Sequence, residues 1–310
     1  MRNYVIWSVV ILATLVTACS KGPEQPPEQG TSTGRSESMK TAQPLDRGQA
    51  TKPSKQGSAT QEVATPGKTE GPPKGLTVDL GGGVKMEFVL IPAGSFMMGD
   101  EKGMDWEKPV HKVTITKPFY LGKYEVTQEQ WQAVMGSNPS RFKGPKNPVE
   151  RVSWDDCQAF LAKLNEKFRS GGAKFGLPTE AQWEFACRAG TTTQYSFGED
   201  PAKLGDYAWW AENAKDTTHP VGQKKPNAWG LYDMHGNVWE WCADRWDANY
   251  YAKSPANDPV GPDPGMDRVL RGGSLVFGRP DFFRCAYRYG HDPALRSLHD
   301  GLRVARTLTP

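Results

Sequence analysis

The sequence predicts a loop-rich α+β fold, and three features point to it. Among 310 residues, 33 Gly and 25 Pro supply more turn formers than a helical bundle or a parallel sheet requires. Eleven Trp add bulky side chains with an apolar body and a polar edge, which suit a domain built from short elements and long connections. Short alternating segments also stand beside capped helical ones. The charge balance, 38 basic against 35 acidic side chains, is interspersed and leaves a net +3. No basic stripe follows from it, and a nucleic-acid partner is not expected.

Residues 1–19 carry Arg2, an apolar run from Tyr4 to Val16, and a small residue directly before Cys19. This reads as an export signal. It resembles the bacterial lipoprotein signal, in which Cys19 is lipidated and becomes the N-terminus; an ordinary cleavable signal is the alternative. Both place the folded part in an oxidising cell-envelope compartment, and the first anchors it to a bacterial membrane, periplasmic or surface-exposed. Residues 20–75 are rich in Pro, Gln, Ser, Thr, Gly, Lys and Glu, with too few large apolar residues to bury a core, and read as a disordered tether. Residues 76–310 have no further low-complexity break and no internal repeat, and read as one domain.

Within that domain, Lys85 to Ile91 and His111 to Ile115 read as strands. Thr127 with Gln130 forms a capping box ahead of a helix that Gly136 stops. Ser153 opens a second helix with Trp154, Cys157, Leu161 and Leu164 at helical spacing. Thr179 with Gln182 caps a third, with Gly190 as its terminator. After about residue 195 short runs alternate with Gly, Pro, Asn and Asp, and loops are expected to dominate.

Four segments, Phe88–Gly99, Leu177–Gly190, Asn227–Trp241 and Arg268–Ser274, followed by Gly301, Leu302 and Arg303, resemble the formylglycine-generating enzyme family, also called sulfatase-modifying factors. The resemblance implies a C-type-lectin-like fold with little regular structure. It also implies a structural calcium site at Asp233, Gly236, Val238 and Glu240, carboxylates and carbonyls of the kind a hard cation takes. Without the resemblance, Asp233 and Glu240 read as turn and surface carboxylates. The stretch from Tyr207 to Asn213, where the family has a second calcium site, departs from the pattern.

Lipidation of Cys19 leaves Cys157, Cys187, Cys242 and Cys285. Cys187 and Cys285 fall where the family carries a structural disulfide; a pair of Cys157 with Cys242 has less support, and buried free thiols are the alternative for both. The family's oxidases hold copper between two cysteines. The matching positions here are Phe277 and Phe282, which can neither ligate copper nor form a thiolate, so copper and formylglycine chemistry are not expected and no catalytic residue is assigned. Cysteine-free chemistry stays open, as relatives in siderophore maturation imply; His291, His299 and Asp300 are its candidate acids and bases.

From Arg268 to Pro310 there is no Lys, Glu, Gln, Met or Trp. Every residue present can be encoded by a codon ending in a pyrimidine. The segment therefore resembles the variable region of surface lipoproteins that diversity-generating retroelements rewrite. The expected variable contacts are Leu275, Val276, Phe277, Phe282, Phe283, Tyr287, Tyr289, His291, Leu295, Leu298 and His299, an aromatic-rich set suited to binding a protein or surface ligand. The competing assignment puts the three Phe in the core. The sequence thus predicts a membrane-tethered, calcium-stabilised binding protein, with catalysis by an oxidase or by a cysteine-free maturation enzyme as the alternative.

Overall fold

A three-glycine turn makes the first hairpin, with Gly81, Gly82 and Gly83 all at positive φ, which L side chains rarely adopt. It joins strand β1 (Gly75–Gly81) to β2 (Val84–Ile91). The computed structural model describes residues 75–308 apart from 170, 171 and 173. The signal segment, Cys19 and the tether up to residue 74 lie outside the described residues.

The hairpin of β3 (Gly94–Met98) and β4 (His111–Ile115) and the strand β5 (Phe119–Gly122) follow. The three capping boxes form as read. Thr127 Oγ1 accepts from Gln130 N ahead of α1 (Gln128–Met135), Ser153 accepts from Asp156 N ahead of α2 (Trp154–Lys167), and Thr179 accepts from Gln182 N ahead of α3 (Glu180–Arg188). Each satisfies N–H groups that the first helical turn leaves unpaired. Helix α1 stops at Gly136 in the left-handed region, whereas α3 turns at Ala189, one residue before the expected Gly190. The buried stripe of α2 is Cys157, Phe160, Leu161 and Leu164.

Loops dominate the second half, as expected, with short strands between them. Beyond β6 (Phe175–Gly176) and the short α4 (Leu204–Tyr207) come β7 (Trp239–Arg245), β8 (Arg268–Arg271), β9 (Arg288–His291), β10 (Asp300–Leu302) and β11 (Ala305–Thr307). One antiparallel sheet runs β1-β2-β5-β11-β6, and a second runs β10-β7-β8-β9 with β10 parallel to β7. The final strand, β11, thus closes back between β5 and β6 near the start of the domain. The mixture of short helices and small sheets joined by long loops is the α+β, loop-rich fold expected. No helix among the described residues is long and apolar enough to cross a membrane.

Three buried arginines tie the second sheet to α3 and β5. Arg271 reaches Glu184 and the carbonyl oxygens of Cys285 and Tyr287; Arg288 donates to both oxygens of Glu180; Arg303 donates to Glu240 and to the Gly122 carbonyl. Each guanidinium is fully buried against a buried carboxylate, so removing one partner strands a charge and costs about 3–5 kcal/mol. These pairs fix both ends of the segment between Arg268 and Arg303.

Candidate functional site

That segment leaves the second sheet and returns to it. β8 pairs with β7 and β9, and β10 pairs with β7, so the residues between them are held over one end of β7. Gly272 and Gly273, at φ 98° and 79°, make the exit turn. A Cβ on Gly273 would sit 2.6 Å from the Phe283 ring, so that ring packs directly on the glycine backbone. A 3-10 turn over Pro280–Phe283 then sends its last two rings to different places.

Seven of the expected contact residues converge. Phe277, Phe282, Tyr287, Tyr289, His291, Leu295 and His299 line one pocket of about 540 Å³ together with Trp239, Leu270, Arg296, Ser297 and Asp300. Val276 and Leu298 lie outside its lining and are 45% and 44% exposed. Two expected contacts are corrected. Leu275 is buried directly after the Gly-Gly-Ser turn, where its N–H donates to the Asn237 carbonyl. Phe283 is wholly buried with Tyr195, Leu204, Ala208 and Trp210, and neither residue can touch a ligand from that position.

Pocket electrostatics rest on few groups. His291 Nδ1–H donates to Asp300 Oδ2 at 3.0 Å, and this bond is the main reason the imidazole pKa is raised. Burial lowers that of His299, whose Nε2 shares a 3.0 Å hydrogen bond with Ser297 Oγ. Burial pushes the Tyr287 phenol up to about 12. Arg296 spends its charge on Asp156, in two hydrogen bonds of 2.6 and 2.8 Å. The proposed acid and base residues therefore do share one pocket, although the two histidines belong to separate hydrogen-bonded pairs.

Sequence reasoning missed Trp239, Leu270, Arg296 and Ser297 as pocket residues. Trp239 forms the inner wall, with ring centroids 5.7 Å from Phe277, 5.9 Å from Tyr287 and 6.1 Å from Tyr289. The parallel pairing of β10 with β7, which puts Asp300 opposite Trp239, joins positions too distant in sequence for any local pattern to signal.

Cys187 and Cys285, the expected bridge, are free buried thiols with Sγ atoms 3.5 Å apart, so the structure juxtaposes them without a bond. His235 Nε2 lies 3.9 Å from Cys187 Sγ and accepts from Ser196 N–H, while its Nδ1–H donates to the Phe283 carbonyl. Burial holds that imidazole down to about 4, so it is neutral. Cys157 and Cys242 are free and belong to different core clusters. At the copper-cysteine positions both rings, Phe277 and Phe282, stand in the pocket wall.

The expected calcium ligands Asp233, Gly236, Val238 and Glu240 are all buried, with one change of role. Both oxygens of Glu240 are engaged, by Arg303 and by Trp183 Nε1, so this carboxylate acts as an ion-pair partner rather than an open ligand. Asp233, at φ 59°, accepts from Gly222 N through Oδ2, whereas its buried Oδ1 has no hydrogen-bond partner. Burial raises Asp233 to about 6. Glu125, missed in the sequence, joins them by accepting from Val238 N and Asn237 Nδ2; burial first, then Asp233 and Glu240, push it well above the carboxylate range. Three buried carboxylates thus share one buried arginine. The orphaned Asp233 oxygen and this surplus of negative charge fit an oxygen-seeking cation held by Asp233 with the carbonyls of Gly236 and Val238.

Residues 83–308 match the model of the sulfatase-modifying factor enzyme 1-like domain. Among curated proteins, the chain is 36% identical over 271 residues to the chaperone protein LppX of Paenibacillus barcinonensis, an alignment covering 72% of this chain and 90% of that one. It is 31% identical over 286 residues to the formylglycine-generating enzyme of Streptomyces coelicolor, covering 70% and 88%. Among solved structures, Treponema denticola variable protein 1 superposes with a TM-score of 0.70 at 33% identity, over 77% of this chain and all of the other.

Proposed function

Because the chain belongs to the family of sulfatase-modifying factor enzyme 1-like domains, we propose that it is an exported, lipid-anchored binding protein. In this reading its C-terminal pocket replaces the family's oxidation centre with a variable recognition surface. One observation carries the proposal: Phe277 and Phe282 occupy the positions where the resemblance expects copper-binding cysteines, and their rings wall the pocket instead. Soft-metal oxidation needs a thiolate pair, and a phenyl ring supplies neither ligand nor electrons.

Further support comes from the surrounding surface. Val276, Tyr289, Leu295 and Leu298 are each 44–47% exposed, and apolar side chains clustered around a pocket suit a protein or surface partner. The similarity to a variable protein favours rewriting of this segment by a diversity-generating retroelement. Calcium is proposed as a structural ion at Asp233, Gly236 and Val238. Lipidation of Cys19 would tether the domain to the cell envelope, and a Cys187–Cys285 bridge would form on export.

A catalytic reading keeps one specific feature, the Ser297–His299 hydrogen bond beside the His291–Asp300 pair. Nucleophilic catalysis also needs an orienting partner for the base, and Asp300 is bonded to the other histidine. The test is incubation of the purified chain with copper, oxygen and a sulfatase-type cysteine peptide. The binding reading expects no formylglycine by mass spectrometry; appreciable conversion overturns it.

A further inference from the structure

The pocket walls form an aromatic box. Phe277 meets Trp239 at 79° and Phe282 at 72°, and Phe282 meets Tyr287 at 73°, so successive rings stand nearly at right angles with centroids 5.0–5.7 Å apart. Tyr289 continues the wall, inclined 30° to Trp239. Ring faces carry negative quadrupolar potential, and a cation enclosed by several of them gains from each, most of all when it has shed its water. Two of these rings already hold a guanidinium, Arg279 at 5.6 Å from Phe282 and Arg284 at 6.0 Å from Tyr287. Both of those cations are neutralised locally, Arg279 by Asp281 and Arg284 by Glu107 and Asp100.

The charge balance inside points the same way. Arg296 is paired with Asp156, and burial lowers the pKa of His299 and so disfavours its cation. Asp300, in the lining, is bonded among the described residues to His291, and Asp267 and Asp292 also act on that imidazole. Above the raised pKa of His291 the pair keeps the full carboxylate charge, and below it the imidazolium cancels Asp300. An anionic ligand would find no unpaired positive group here, whereas a cation finds ring faces and a counter-charge. The pocket's volume of about 540 Å³ leaves room for the chain that carries the cation.

We propose that this pocket takes a quaternary ammonium group of the choline type, enclosed by Trp239, Phe277, Phe282 and Tyr289 and countered by Asp300. This deepens, and rests on, the reading of the C-terminal face as a ligand site. The probes are choline and its uncharged carbon isostere 3,3-dimethylbutan-1-ol, titrated calorimetrically into the full chain. Choline should bind at least tenfold more tightly than the isostere. Phe282→Ala, at a partly buried ring, should weaken it severalfold. Choline affinity should fall as pH is lowered through the raised pKa of His291, where its proton cancels Asp300, and His291→Gln should remove that pH dependence.

Phosphatidylcholine vesicles run in parallel separate a headgroup from a free ligand, since binding to choline alone or to both supports the proposal. Equal affinity for the isostere, or no choline binding by folded protein, overturns it. Neither result touches the wider reading of a variable recognition face, which is judged by where sequence variation falls.

Discussion

Phe277 and Phe282, the positions that the sequence resemblance matches to the oxidases' cysteine pair, meet edge to face, ring centroids 5.0 Å apart and planes at 72°. They stand five positions apart in the chain, and the 3-10 turn over Pro280–Phe283 brings the second ring back onto the first. Both rings stand in the wall of the pocket over β7. Neighbouring Phe283 turns inward and anchors that loop to the core.

Phe283 and Phe282, adjacent in sequence, should therefore respond differently to truncation. Phe283→Ala removes a wholly buried ring and is expected to cost about 3–5 kcal/mol in urea unfolding. Phe282→Ala removes only a partly buried ring of the pocket wall and should cost no more than about 2 kcal/mol. Equal costs would place both rings in the core.

Calcium should stabilise the domain through Asp233. At a hundredfold excess over its dissociation constant an ion adds about 2.7 kcal/mol, which for a domain of this size raises Tm by roughly 5–10 °C. Chelation should reverse the gain, and Asp233→Asn should weaken the dependence on calcium. A Tm indifferent to chelator removes the metal from the account.

Asp244 gives stability a specific pH dependence. Burial lifts its carboxyl to about 8, well above its ordinary value of 3.8, so the folded state holds a proton that the unfolded state has released. Stability from this group is present in acid and declines as pH rises from about 4 to about 8, levelling off above that. Asp244→Asn keeps an acceptor for the Glu180 N–H that Asp244 Oδ2 now binds. It should flatten the decline, measured as urea midpoints at pH 5 and pH 8.5. A parallel decline in both proteins would refute the assignment.

Oxidation of the adjacent thiols Cys187 and Cys285 would close a loop of 98 residues, worth about 4–5 kcal/mol in the chain-entropy model. Protein recovered from an oxidising compartment should therefore be two hydrogen masses lighter and lose stability on reduction. Intact thiols there would show that the pair is kept reduced in the core.

Much of this was legible where local chemistry carries the information. Thr127, Ser153 and Thr179 announce three helices because a capping hydroxyl and its partner stand three residues apart. Strand β7 was not legible, because Trp239 to Cys242 are buried on both faces and show no alternation. The pocket was half legible: the amino-acid bias after Arg268 marked its walls, but Trp239 and Ser297 arrive through β10 pairing with β7. Glu125 lies 112 residues from Asn237, to which it is bonded, and no local spacing could join it to Asp233. Whether Phe282 or Phe283 faced solvent depended on a 3-10 turn that residue types alone do not orient.

The central claim, that the face over β7 is a variable recognition surface, is tested most directly by deep sequencing the 3′ end of the gene across a population, with its flanking DNA. The account predicts a nearby near-copy of the Arg268–Arg303 coding stretch and a reverse transcriptase. Substitutions should fall at template adenines, concentrated at Val276, Phe277, Phe282, Tyr287, Tyr289, His291, Leu295, Leu298 and His299, while Trp239, Arg271, Phe283 and Arg303 stay constant. An invariant segment without a template would contradict it.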